Sequence, residues 1–187
     1  MGPFNGFRGY ELLRLDDGRM AFRLAYVWPD DAIDVETTQK IPLNQWAHLT
    51  VTYDGSSKAG GVKIYLNGQP TPLRVVTDNL TQSVVWGKKG SNWGSGVPNL
   101  AMGQRHDYNF KGYAVDELTV YSRKLTPLEI GSLHDGQDDL LAALKTPAAQ
   151  RTPAQNAALL DYYLTHFDAP TRQRLAARAQ KIREETE

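Results

Sequence analysis

From Tyr10 to about Tyr121 the apolar residues come in short runs that alternate with polar ones and are cut by turn residues, the period-two pattern of half-buried strands. Leu12 to Leu15 leads into Asp16-Asp17-Gly18, and an extended run resumes from Met20 to Val27. An Asp-Gly pair between two such runs is a strong hairpin signal. Trp46 to Tyr53 alternates most clearly: Ala47, Leu49, Val51 and Tyr53 share one face, and Trp46, His48, Thr50 and Thr52 share the other. After the break at Asp54-Gly55-Ser56-Ser57, Val62, Ile64 and Leu66 alternate with Lys63 and Tyr65 until Asn67-Gly68 turns the chain. A last strand is expected over Gly112 to Tyr121, with Ala114, Asp116, Leu118 and Val120 on a common face.

The pattern changes at Thr126. Thr126-Pro127-Leu128-Glu129 combines an N-cap, a proline at the first helical position and a glutamate at the third. Asp135 to Pro147 reads as a short helix plus linker. Thr152-Pro153 opens a further helix whose apolar stripe is expected at Ala157, Leu160, Leu164 and Phe167. Asp168 to Glu187 predicts a charged helix with a narrow face of Leu175, Ala179 and Ile182, suited to a surface or to a partner seam. Strands followed by a block of helices predict a β domain over residues 1–134 and a helical extension, or linker to a following domain, over 135–187. Many short strands with Gly/Asn/Asp turns favour two antiparallel sheets packed as a sandwich.

Composition narrows the function classes. The chain has 187 residues, with 21 basic against 21 acidic, and so lacks the basic excess that drives binding to nucleic acid or membrane surfaces. No run is long enough to insert in a membrane, and Met1-Gly2-Pro3-Phe4 has no signal-peptide character. Cysteine is absent, which removes disulfides, thiolate metal sites and cysteine nucleophiles.

Trp46-Ala47-His48-Leu49-Thr50-Val51-Thr52-Tyr53-Asp54-Gly55, Val62-Lys63-Ile64-Tyr65-Leu66-Asn67-Gly68, Phe110 to Tyr121 and Arg123-Lys124-Leu125-Thr126 occur in an order and spacing that resemble the laminin-G-like branch of the concanavalin A-like lectin/glucanase superfamily. The resemblance covers about Gly9 to Leu133 and implies a mainly β, two-sheet antiparallel jelly-roll sandwich. Trp28-Pro29, Tyr53 to Gly60 and Phe110-Lys111-Gly112 are similar to the version inside large planctomycete-type proteins that also carry a cytochrome c domain. That likeness implies a non-catalytic, extracytoplasmic module beside neighbouring domains of a parent chain. The family ordinarily has more sequence before Gly9, so an open edge, and self-association through it, is expected.

The glucanases of the superfamily cut glycosidic bonds with two carboxylates on one strand, in patterns such as Glu-x-Asp-x-Glu. Asp116 and Glu117 are adjacent, and on a strand they would point to opposite faces, so a glycoside hydrolase ranks below a binding role. Asp116 is expected to turn inward with Leu118 and Val120, either as a hydrogen-bonded structural carboxylate or as a calcium ligand of the kind the resemblance implies. Asp78 and Asp107 are the companion metal candidates, with Asp30, Asp31, Asp34 and Asn79 as further oxygen donors. No histidine pair has zinc-hydrolase spacing, and His134 and His166 fit helix C-termini. No nucleophile elbow or phosphate loop is present.

Exposed aromatics that stack on sugar rings would instead carry recognition of a glycan or protein ligand. The candidates are Trp93 in the Gly87–Gly96 loop, Trp28 beside Pro29, Trp46 and His48 as a groove floor, and Arg105 and His106 as its rim. The rival role is a scaffold that positions neighbouring redox domains.

Overall fold

The computed structural model describes residues 6–84, 100–105, 108–109 and 112–186. Its central strand is β3 (Asp31–Lys40), antiparallel to β2 (Arg19–Val27) on one side and to β7 (Leu73–Asp78) on the other, with β1 (Gly9–Arg14) beyond β2. The register sets Leu24 opposite Ile33 and Phe22 opposite Val35, while Arg23 faces Asp34 and Ala21 faces Glu36. Alternation along the pleat therefore sends the apolar rows to one side of the sheet and the charged rows to the other.

The second sheet contains β4 (Leu49–Tyr53), β5 (Val62–Leu66) and β6 (Gln69–Thr71), all antiparallel. Asn67 and Gly68 join β5 to β6 with φ of +49° and +74°, the two left-handed residues that a tight hairpin turn demands. The inner faces meet in a core of Leu24, Ile33, Val35, Ala59, Val62 and Leu80, with Phe22, Tyr26, Val51, Tyr53 and Leu73 around it. Two antiparallel sheets of four and three strands thus form the expected sandwich body. A two-residue pair, β8 (Gln104–Arg105) with β9 (Tyr108–Asn109), stands apart from both sheets.

The other side of the three-stranded sheet carries Tyr65, buried against Leu125 and Ile130. This contact makes the helical segment a third layer. Helix α1 (Pro127–Asp135) begins at the expected capping box: Glu129 N–H donates to Thr126 Oγ1 and Thr126 N–H donates to Glu129 Oε2. The helix crosses the 134/135 boundary at which the helical extension was expected to begin. Helices α2 (Asp139–Lys145), α3 (Pro153–His166) and α4 (Ala169–Thr186) follow. Arg178 on α4 reaches back to donate to the Gly55 carbonyl at 2.6 Å.

Three expectations are corrected. The stripe of α3 is rotated: Leu164 is half-buried as expected, but Ala157, Leu160 and Phe167 are exposed, whereas Leu159, Tyr162 and His166 are half-buried. That rotation brings His166 Nε2 to 3.2 Å from Glu129 Oε1 and Asp161 Oδ2 to 3.8 Å from Lys124 Nζ. Residues 112–121 carry no strand, because Glu117 takes φ +51° and breaks the alternation between Asp116 and Leu118. Asp116 is consequently exposed rather than inward, its Oδ1 accepting the Glu117 N–H at 2.8 Å.

Thr126 is fully buried and caps the helix that closes the third layer, so Thr126→Ala should cost about 1–2 kcal/mol in urea unfolding. The Glu129 carboxyl is raised by burial, but Arg123 and Thr126 hold it down at about 2 against an ordinary 4.5. Its folded value is depressed, so its contribution is complete above pH 4.5 and is lost as pH falls toward about 2. Denaturation profiles across that window should be steeper for the parent chain than for Glu129→Gln.

Candidate functional site

Two clusters bear on function. The first is a charged ladder on the face of the four-stranded sheet turned away from the core. Glu11, Arg23 and Asp34 stand in one cross-strand row, joined at 3.3 Å (Arg23 Nη1 to Glu11 Oε1) and 3.1 Å (Arg23 Nε to Asp34 Oδ2). One step along β3, Glu36 Oε2 accepts from Arg19 Nη1 at 2.6 Å and from Arg74 Nη2 at 2.5 Å. The Trp28 indole lies against the Arg23 guanidinium, 4.6 Å from ring centroid to Cζ.

The ladder contains the pair of carboxylates that the sequence reading sought elsewhere. Asp34 and Glu36 lie two apart on β3 and share a face, and Ala32 completes an Ala-x-Asp-x-Glu run whose first position is a buried methyl. Their environments differ. Burial raises the Asp34 carboxyl, opposed by Arg23. Burial also acts on Glu36, but Arg74 and Arg19 outweigh it and hold the group below its ordinary value. A raised acid beside an ionised carboxylate is the electrostatic pattern of glycosidic hydrolysis. Access differs from that of a working site: Asp34 is only 1% exposed and Glu36 is buried beneath two guanidinium groups.

The second cluster lies where the sandwich meets α1. Trp46, on the segment entering β4, is 71% exposed. Its base is fixed two residues on, where His48 N–H donates to Asn67 Oδ1 at 2.9 Å and Asn67 N–H donates to the His48 carbonyl at 2.8 Å. The His48 ring stacks on that of His134 near the end of α1, with centroids 5.6 Å apart and planes 29° apart. Asn67 and Gly68 therefore position one end of an aromatic ledge, and α1 supplies the other.

The remaining sequence candidates separate. Trp93, His106 and Asp107 lie outside the described residues, and Arg105 lies on β8. Trp28 belongs to the ladder, whereas Trp46 and His48, the expected groove floor, lie two residues apart at the seam. Asp78 accepts the Ala59 N–H at 2.7 Å, and Asp31 accepts from the backbone and hydroxyl of Thr81 at 2.6 and 2.9 Å. These carboxylates pin loops, as Asp116 does with Glu117, and among the described residues they do not converge into the cage of six or more oxygens that calcium takes. Sequence reasoning missed Arg23, Glu11 and Glu36. The available signal was the Asp-Val-Glu alternation between apolar residues, which marks two carboxylates on one face of a strand.

Two antiparallel sheets packed face to face and braced by a helix define an antiparallel β-sandwich domain. A family model described as the concanavalin A-like lectin/glucanases superfamily, of laminin-G type, matches residues 3–131, and the chain belongs to that family. No curated protein and no solved structure gives a match.

Removing the guanidinium takes from the buried Asp34 carboxylate the cation that opposes its burial, whereas neutralising Asp34 removes one desolvated charge and leaves the Arg23–Glu11 pair. Arg23→Met should therefore destabilise the fold by about 3 kcal/mol, and Asp34→Asn by no more than about 1 kcal/mol, in equilibrium denaturation. Equal losses would contradict this division of roles.

Proposed function

We propose that the chain is a non-catalytic recognition module whose ligand is a glycan, bound by stacking on the Trp46 indole. The observation that supports this reading is a large aromatic ring held in water on a backbone that is hydrogen-bonded to the neighbouring hairpin. A pyranose ring gains dispersion and C–H contact on such a surface, and an anchored loop loses little entropy on binding. The ladder supports the non-catalytic part of this reading: Asp34 and Glu36 share a face of β3, but one is a buried acid and the other a carboxylate capped by two guanidinium groups, a poor arrangement for flanking a glycosidic bond.

A second reading is favoured by the exposed apolar side chains of α3. Leu160, Tyr163 and Phe167 all face outward, and Tyr163 stacks on Phe167 with ring centroids 6.2 Å apart. In that reading the module is a scaffold that docks neighbouring domains of a multidomain, cytochrome c-containing parent. The family likeness also motivates an extracytoplasmic setting, a jelly-roll strand path and a calcium ion in the binding rim.

A glycan array probed in millimolar calcium and again in chelator tests the proposal. Binding should be seen, and Trp46→Ala should abolish it while leaving the melting temperature unchanged. Trp28→Ala should instead lower stability by about 1 kcal/mol through loss of the Arg23 contact. Binding only in calcium would add the metal to the site. Folded protein that binds no glycan in either condition would favour the scaffold, and release of reducing sugar from a bound glycan would overturn the non-catalytic reading.

A further inference from the structure

The outer strand of a sheet presents a row of backbone N–H and C=O groups with no strand to bond, and folded proteins blunt such edges with charge, proline, bulges or short length. Three of the four outer strands of the two sheets are blunted in these ways. β1, where the sequence predicts an open edge, carries Glu11 and Arg14. β7 carries Arg74 and Asp78 and pairs with β3 through an irregular register. β6 has only three residues, with Pro70 at its centre. β4 is different: Leu49-Thr50-Val51-Thr52-Tyr53 has no charge and no proline, and its register with β5 is regular. Asn67 N–H donates to the His48 carbonyl and Asp54 N–H to the Gly61 carbonyl, so the even-numbered residues of β4 bond β5. Leu49, Val51 and Tyr53 turn their backbone groups the other way, and among the described residues these groups meet no partner.

The facing sheet has a gap at the same place. A cleft lined by Val35, Leu73 and Val75 from one sheet and Ile64, Pro70 and Thr71 from the other sets β6 over β3 and β7. β4, at the opposite edge of its sheet, packs Val51 and Tyr53 with Phe22 and Leu24 of β2, and the inner face of β1 extends past it. Tyr10 and Leu12 stand opposite Leu24 and Phe22 on that inner face, yet they are 56% and 43% exposed. We propose that β4 is the contact edge of a homodimer, in which β4 of a second copy pairs with it antiparallel about a two-fold axis at Val51. This register sets Leu49 opposite Tyr53, Thr50 opposite Thr52 and Asp54 opposite His48, so no like charges meet along it. It also pairs the backbone groups of all three outward residues, making about six hydrogen bonds. The incoming strand lies over β1 and covers Tyr10 and Leu12, joining the two three-stranded sheets into one. Arg178 meets the chain at Gly55, beyond the last residue of β4. The inference is independent of glycan recognition.

Sedimentation equilibrium of the full chain tests this. At about 100 μM it should give twice the mass of one chain, with a dissociation constant of about 10 μM or below. Thr50→Lys adds to β4 the charge that the other edges carry, and should weaken the dimer by about tenfold or more; its far-ultraviolet circular dichroism establishes that it folds. The chain has no cysteine, so single cysteines report the register. Val51→Cys should give a disulfide-linked dimer on mild oxidation, because hydrogen-bonded partners across antiparallel strands have Cα atoms about 5.5 Å apart, within reach of a disulfide. Leu12→Cys on β1 should stay unlinked. A parent chain that is monomeric at this concentration overturns the proposal. So does a dimer that Thr50→Lys leaves intact, or one that crosslinks through Leu12→Cys and not through Val51→Cys, since either result places the contact elsewhere.

Discussion

The structure depends on what β3 requires of its two faces. From Ala32 to Thr37 every residue is buried, yet the strand alternates Ile33 and Val35 with Asp34 and Glu36. Apolar residues on one side need a second sheet, and carboxylates on the other need cations, since a buried charge without a partner costs several kcal/mol. Both needs are met by the neighbouring strands. Leu24 and Phe22 on β2 extend the apolar row, while Arg23 and Arg19 on β2, with Arg74 on β7, supply the guanidinium groups. Strand order and register thus follow from one pleat, because a slip of a single residue would put carboxylates in the core and leave arginines facing aliphatic side chains.

Where local chemistry decides the structure, the sequence was legible. The Asp17-Gly18 and Asn67-Gly68 turns, the hairpin of β4 and β5, and the Thr126 and Thr152 capping boxes are specified by residues within a few positions of one another. What escaped the reading is set by distant partners. β3 looks too acidic for a central strand until Arg19, Arg23 and Arg74 are placed beside it. The segment 112–121 has the alternation of a strand, but one left-handed residue, Glu117, interrupts it. On α3 a hydrophobic stripe was visible, while the docked face lies beside Glu129 and Lys124, which belong to another part of the chain.

The candidate site follows the same division. Trp46 and His48 stood out as residue types in a motif, whereas the pairing of His48 with His134 joins positions 86 residues apart and depends on α1 folding over the β5–β6 turn. The ladder was hidden for a similar reason, since cross-strand neighbours carry no sequence mark of their own. Family membership accounts for the sandwich body, and the polar clusters lie on its outer face and at its seam with the helices: the guanidinium groups over β3 and the imidazoles of His48 and His134.

The β1–β2–β3 meander also bears on the order in which the chain assembles. Its partners are close in sequence, so the strands of residues 9–40 can pair with little loss of loop entropy. β7 joins later and over a longer loop, pairing Leu73 with Thr37, and only then is Glu36 given its second guanidinium. Until Arg74 arrives, the edge of β3 presents an under-neutralised carboxylate. Such a charge on a temporary edge strand discourages pairing with another nascent chain. The acidic strand that makes the finished sheet demanding also protects the unfinished one.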